Sequence, residues 1–186
     1  MIEVSKAKGS YIYDHKNKRY LDFVAGVSAC SVGHCNKEVI NAIKNQSEMY
    51  MHVMVYGEFV TKPSLELAKL LAKNLPNSLN CTYFTNSGTE ALEGSMKLAR
   101  RFTGRKKIIA AKNAYHGSTM GALTLMGLEE RKKPFAPLIP EVDFINYNSF
   151  EDINKIDSQT SCVVLETIQG SACLLYTSPS PRDKRQ

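Results

Sequence analysis

The sequence predicts an α/β protein whose larger part is a mostly parallel sheet with helices on its faces. Three observations carry that prediction. From Cys81 onward short apolar runs alternate with helical patterns, which is the order a parallel sheet with helical crossovers requires. The stretch "YFTNSGTEALEGSMKLAR", Tyr83 to Arg100, passes from a strand pattern to a helical one through Asn-Ser-Gly-Thr alone, with no proline or spacer. The chain has 186 residues and 43% apolar content, enough for one sizeable core or parts of two domains.

Each element has its own warrant. "SYIYD" and "RYLDF" are aromatic-rich strand candidates flanking a basic turn at Lys16 to Arg19, and together predict a hairpin. A glycine-rich loop, "VAGVSACSVGHCN", leads into "KEVINAIKNQ", where Val39, Ile40 and Ile43 have amphipathic-helix spacing. Residues 9–46 thus read as a small α/β region. "TKPSLELAKLLAKNLP" has a proline in its first turn and ends before Pro76. Its leucine face (Leu65, Leu67, Leu70, Leu71, Leu75) reads as core. Thereafter come strand "CTYFT", helix Thr89 to Phe102, strand "KIIAA", a helical stretch around Met120 to Arg131, strand "VDFINY", a helix around Phe150 to Ile156, and strand "CVVLE". No internal repeat is visible.

Composition removes several function classes. No run approaches the roughly eighteen apolar residues of a membrane span, and the N-terminus lacks the layout of a signal peptide, so no membrane partner and a cytoplasmic location are expected. The five cysteines are odd in number and form no C-x-x-C pair, so they read as reduced thiols. Cys30 and Cys35 flank His34, but two further ligands are not evident, so no metal site is assigned. The net charge of +6 raises nucleic-acid binding. The basic clusters instead lie in a turn and at a helix end, where cations complement the dipole, and no aromatics interleave them for base stacking. No nucleic-acid partner is expected.

The last fourteen residues, "CLLYTSPSPRDKRQ", have no period and complete no element. Cys173 to Asp183 resemble the conceptual translation of a sequencing-library adapter. The expectation is therefore a non-native tail at 173–186, set aside from fold reasoning. That tail carries +2 of the formal charge, leaving +4 on the body.

In sheets of this kind ligands gather beyond the carboxyl ends of the strands. Asn86 to Thr89, Asn113 to Thr119 and Glu166 to Gly170 share that rim. Ser87, Gly88 and Thr89 offer backbone N–H groups and two hydroxyls at the positive end of a helix, with phosphate as the natural guest. The same residues also fit an ordinary capping box with Glu90, and the pattern alone leaves both readings open. No P-loop and no G-x-G-x-x-G is present.

The Tyr83 to Arg100 segment resembles the phosphate cup of class III aminotransferases, pyridoxal-phosphate (PLP) enzymes of fold type I. So do "YIYDHKNKRYLDFVAGVSACSVGHCNKEVINAI", "NAYHGSTMGAL", "PFAPLIP" and "VVLETIQGSA", in the family's order along nearly the whole body. The resemblance implies that Gly88 and Thr89, with Ser87 beside them, hold the PLP phosphate. It implies that Tyr115 lies against the pyridine ring, that His116 orients its loop, and that Glu166 stands near cofactor and substrate. It further implies a small-domain segment at 1–50 and an incomplete PLP-binding large domain at 51–172. The reaction it implies moves an amino group from an amino acid or amine to a 2-oxo acid, 2-oxoglutarate by expectation, in a homodimeric enzyme.

Departures from the family bear on substrate and chemistry. Ser118 stands where acetylornithine-type enzymes have arginine after His-Gly. Thr167 and Ser171-Ala172 replace common family residues, and the amino donor stays open. The family's cofactor-bearing lysine and its pyridine-nitrogen aspartate lie downstream of the Glu166 segment, so no catalytic residue is assigned here. Lys97, Lys107 and Lys112 match no catalytic motif. The expectation is the front part of a transaminase, inactive alone and weak in PLP affinity. A non-catalytic phosphate- or PLP-binding module and a class III relative such as an aminomutase are the alternatives.

Overall fold

The computed structural model describes residues 1–54 and 57–170, in two compact units that divide between Thr82 and Tyr83. The proposed tail, 173–186, and the Ser171-Ala172 departure lie outside the described residues.

The first unit is built on an antiparallel sheet of β1 (Val4–Lys8), β2 (Tyr11–Asp14) and β3 (Arg19–Leu21), in that order. The expected hairpin is β2–β3, with Tyr11 opposite Leu21 and Tyr13 opposite Arg19. Asp14 closes its turn: one carboxylate oxygen accepts from the N–H groups of Lys16 and Lys18, and the other from the Tyr20 hydroxyl. Strand β1, "VSKAK", has no apolar alternation and was not foreseen from the sequence; backbone pairing with β2 makes it a strand. After a single turn, α1 (Ala25–Ser28), the glycine-rich loop bonds back to the sheet through Gly9 and His34, each N–H donating to the other's carbonyl.

Helix α2 (Lys37–Met49) starts at Asn36, whose side chain accepts from the N–H groups of Glu38 and Val39. Helix α3 (Lys62–Asn74) has proline in its first turn, as predicted. Its leucine face departs from expectation: Leu65 is 40% and Leu70 57% exposed, and no residue of α3 is buried. Amphipathic spacing identifies which side of a helix favours burial; it does not supply a covering surface, and none is present among the described residues.

The second unit holds every fully buried apolar side chain among the described residues. Its sheet is parallel, ordered β5 (Val142–Ile145), β4 (Lys107–Ala111), β6 (Thr160–Val164). Ile108 pairs with Val142 on one side and with Cys162 on the other. A central parallel strand flanked on both edges and packed on both faces has no solvent side, and Ile108 to Ala111 are fully buried. Helix α4 (Gly88–Thr103) lays Met96 against Ile108, Ala110 and Leu125, with Leu92, Val142, Phe144 and Val164 around them. Gly104, left-handed at φ 69°, closes the helix, and Arg100 and Arg101 occupy its last turn.

Three other expectations are corrected. Cys81 to Thr85 runs outside any strand, because a strand needs a ladder partner and no described segment pairs with it. The helix expected over Met120 to Arg131 is two short pieces, α5 (Met120–Thr124) and α6 (Glu129–Lys132). The break occurs where Gly127 exchanges hydrogen bonds with residues 113 and 114 instead of continuing a helix. Phe150 to Ile156 contains a 3-10 helix at Glu151–Lys155, with i→i+3 bonds from Ile153 to Phe150 and from Ile156 to Ile153. Among the described residues no helix is long and apolar enough to cross a membrane, and no cluster of potential metal ligands occurs. His34 beside the cysteines instead meets Asp22 at 2.7 Å.

Candidate functional site

The abrupt switch at Asn86 to Thr89 is a helix start whose cap leaves donors over. Ser87 is the N-cap, with extended φ and ψ, and its hydroxyl oxygen accepts the Glu90 N–H at 3.3 Å. Glu90 reaches back to the Asn86 N–H at 2.7 Å. That is the capping-box reading, and it uses only the Glu90 and Asn86 amides. The N–H groups of Gly88 and Thr89 have no acceptor among the described residues, and both sit at the positive end of a sixteen-residue helix. A Cβ built on Gly88 would meet nothing within 4 Å, and its φ is not left-handed. Neither packing nor backbone conformation requires glycine at 88; close approach of a ligand would. Capping therefore leaves two amides of this turn open, so the two readings that the pattern left as rivals do not exclude each other.

The second rim segment follows β4. Asn113 N–H donates to the Gly127 carbonyl at 3.1 Å, and Gly127 N–H to the Ala114 carbonyl at 3.0 Å. These bonds fix the turn that delivers Tyr115, a residue 41% exposed, as one that stacks on a ligand must be. Tyr115 N–H donates to Glu166 Oε2 at 3.3 Å, and its hydroxyl lies 3.3 Å from that of Ser118. Glu166 follows β6 and also accepts the Gly170 N–H at 3.2 Å, so the carboxylate ties the ends of two neighbouring strands together. His116 stands beside them. Burial holds its imidazole below the ordinary pKa, and the negative charge of Glu166 opposes that shift in part. Its Nε2 is buried without a partner among the described residues.

Several residues on this rim were not singled out from the sequence. Gln169 is 5% exposed; its amide donates to the Lys112 carbonyl at 2.8 Å, while its Oε1 is buried without a partner. Tyr147 directs its hydroxyl to the carbonyls of Glu166 and Thr167, at 3.0 and 2.7 Å. Thr119 contacts Thr89, hydroxyl to hydroxyl at 2.7 Å, which joins the second rim segment to the first. Thr119 and Gln169 fall inside the Asn113 to Thr119 and Glu166 to Gly170 segments that the sequence placed on the rim, whereas no sequence signal pointed to Tyr147. Lys107, one of the available lysines, is committed to Asp157 at 2.9 Å and Asp143 at 3.4 Å, away from the rim.

The rim therefore offers two unpaired amides at the start of α4, an exposed aromatic residue, a bridging carboxylate and two buried polar atoms orphaned among the described residues. A phosphorylated heteroaromatic cofactor meets those features in kind: phosphate for the free amides, a flat ring for Tyr115, and polar ring substituents for the orphaned atoms.

Comparison with known proteins gives the following. A sequence model of the family described as aminotransferase class-III matches residues 1–181. The acetylornithine aminotransferase of Archaeoglobus fulgidus is 40% identical over 172 residues, 92% of this chain and 45% of the relative. A [LysW]-aminoadipate semialdehyde/glutamate semialdehyde transaminase of Sulfolobus acidocaldarius is 39% identical over 171 residues, again 92% of this chain and 44% of the relative. Among solved structures, the adenosylmethionine-8-amino-7-oxononanoate aminotransferase of Methanocaldococcus jannaschii superposes with a TM-score of 0.86 at 33% identity, covering 92% of this chain and 42% of that one. The ornithine aminotransferase of Toxoplasma gondii gives 0.79 at 27% identity, over 91% of this chain and 42% of that one. The chain thus spans less than half the length of these relatives.

Proposed function

We propose, given that the chain belongs to the class III aminotransferases, that it binds pyridoxal phosphate on this rim and serves a transaminase moving an amino group from an amino acid or amine to a 2-oxo acid. The carrying observation is the pair of N–H groups, Gly88 and Thr89, that the Ser87 cap leaves without acceptors beside the open position at Gly88. Bound PLP supplies an electron sink for the electrons released at the substrate carbon.

The chain's own residues bind and orient. Gly88 and Thr89 donate backbone N–H groups, and Ser87 its hydroxyl, to the phosphate. Tyr115 presents its ring to the pyridine and fixes its plane, so that the bond to be broken lies along the π system. Glu166 sets the Tyr115 backbone through its 3.3 Å contact. His116, kept neutral by burial, leaves one ring nitrogen free for a polar group of the ligand. Ser118, hydrogen-bonded to Tyr115, brings no positive charge to a substrate carboxylate. The acceptor is 2-oxoglutarate and the complete enzyme a homodimer in this reading, on the family's example.

The test is equilibrium binding of PLP and of pyridoxal to wild-type chain and Gly88→Val. A side chain at 88 meets no protein atom at its Cβ, so the thermal melt should hold while the preference for PLP over pyridoxal falls about tenfold or more, the worth of lost charge-assisted hydrogen bonds. Equal preference in both proteins would refute the seat.

A further inference from the structure

Glu93 sits in the second turn of α4 and has been assigned no part in holding the cofactor. All of its hydrogen bonds converge on one oxygen: Oε1 is 2.6 Å from the Thr119 hydroxyl, 2.8 Å from Gly121 N and 3.3 Å from Ala122 N. Thr119 Oγ1 in turn lies 2.7 Å from Thr89 Oγ1, and the Thr119 N–H is directed at that same Thr89 oxygen at 3.4 Å. Two glycines permit this crowding. A Cβ at Gly117 would stand 2.5 Å from Thr89 Cβ, and one at Gly121 would stand 2.7 Å from the Glu93 carboxyl carbon.

The direction of each proton follows from what the groups are able to donate. A backbone N–H only donates and a carboxylate only accepts, so Glu93 Oε1 receives Gly121, Ala122 and the single hydroxyl proton of Thr119. The Thr119 oxygen then has only lone pairs for Thr89. Their 2.7 Å contact must be closed by the proton of Thr89 itself, which leaves none for an anion in the cup. Ser87 is the opposite case: its oxygen accepts from Glu90 and its proton has no acceptor among the described residues.

We propose that Glu93 is a positioning residue which, through Thr119, turns the Thr89 hydroxyl inward, so that a phosphate in the cup meets the Gly88 and Thr89 amides and the Ser87 hydroxyl. This rests on the phosphate seat proposed above and adds which hydroxyl serves it and what holds the other away. Removing the carboxylate has a specific consequence. With Glu93 gone, the Thr119 proton is free to point at Thr89, and the Thr89 proton is released toward the phosphate.

The test uses pyridoxine 5′-phosphate and pyridoxine, which differ only in the phosphate and lack the aldehyde that reacts with surface lysines. The ratio of their dissociation constants, measured on the 186-residue chain by equilibrium dialysis, reports the phosphate contacts alone. Ser87→Ala should lower the ratio about tenfold or more, and Thr89→Val should leave it within about threefold. In the Glu93→Ala background Thr89→Val should become costly, again about tenfold. In Glu93→Gln, whose amide oxygen still accepts, Thr89→Val should be silent once more. A purely structural Glu93 would produce no such switch. Loss of the ratio by Thr89→Val in the wild-type background overturns the inference and leaves the phosphate seat standing. A wild-type ratio near one overturns both. Should Glu93→Ala fail to fold, Thr89→Val against Ser87→Ala decides alone.

Discussion

Gly127→Ala tests whether the turn that carries Tyr115 is held as described. A methyl group at 127 would lie 2.5 Å from the Ala111 carbonyl oxygen and 2.6 Å from the Lys112 carbonyl carbon, and would collide with the Asn113 nitrogen. All three are backbone atoms, so no side chain can swing aside. The two strands of chain must separate, which threatens both hydrogen bonds between them, Asn113 to Gly127 and Gly127 to Ala114. Overpacking costs about 1–3 kcal/mol, and each lost backbone bond about 0.5–1.5 kcal/mol, which for both bonds together come to about 2–6 kcal/mol. For a domain of about a hundred residues, each kcal/mol lowers Tm by about 4–8 °C. The expected result in a urea or thermal melt is a loss of about 10 °C or more, set against Gly88→Ala as control. The control adds a methyl to open space and should be neutral or stabilising by about 0.4–1 kcal/mol. A Gly127→Ala melt within about 0.5 kcal/mol of wild type would refute the reasoning, since surface changes fall in that range.

Further outcomes follow from the electrostatics. The His34 contact, then the Ala25 and Val24 amides, hold the Asp22 carboxyl below its usual pKa. Its contribution to stability is present above the unfolded value, about 3.9, and is lost as pH falls through the folded one; Asp22→Asn should flatten that acid limb in denaturation curves. Lys132 is 5% exposed, 2.7 Å from Glu129 and 4.1 Å from the centre of the Phe144 ring. Lys132→Met keeps the packed stem and should shift stability by less than about 1.5 kcal/mol. Lys132→Ala should cost about 1–3 kcal/mol in the same urea melts. An NMR titration of His116 should have its midpoint below the ordinary value, about 6.5, and Glu166→Gln should lower it further by removing the opposing charge. An upward move on that substitution would contradict the assigned cause.

What could be read from the sequence was local. The Asn86 to Glu90 turn carries its cap, its glycine and its first helical residues within five positions, so the helix start was visible. β4 and β6 were visible because both are short apolar runs bounded by polar segments. Cys81 to Thr85 shows the limit: its composition suits a strand, but strand character belongs to a pair, and the chain beside it holds no partner. The α3 leucines show the same limit for burial. The contact between Glu93 and Thr119 was missed because the two stand 26 residues apart and meet only when α4 and the loop after β4 fold together. Gly127 falls within the helical stretch expected around Met120 to Arg131; its role depends on residues 113 and 114.

The position of β4 at the centre of its sheet also sets an order of events during synthesis. Ala111 ends β4, Val142 begins β5 and Thr160 begins β6, so the innermost strand is made first and both neighbours later. At ~5–20 residues per second, the about thirty intervening residues keep the fully apolar Ile108 to Ala111 run without a ladder for roughly 2–6 s after it leaves the ribosome. During that interval it is an unprotected β template. Pauses while the residues between β4 and β5 are emerging would lengthen the exposure and favour aggregation over folding, whereas pauses after β6 has emerged would leave β4 already paired on both sides.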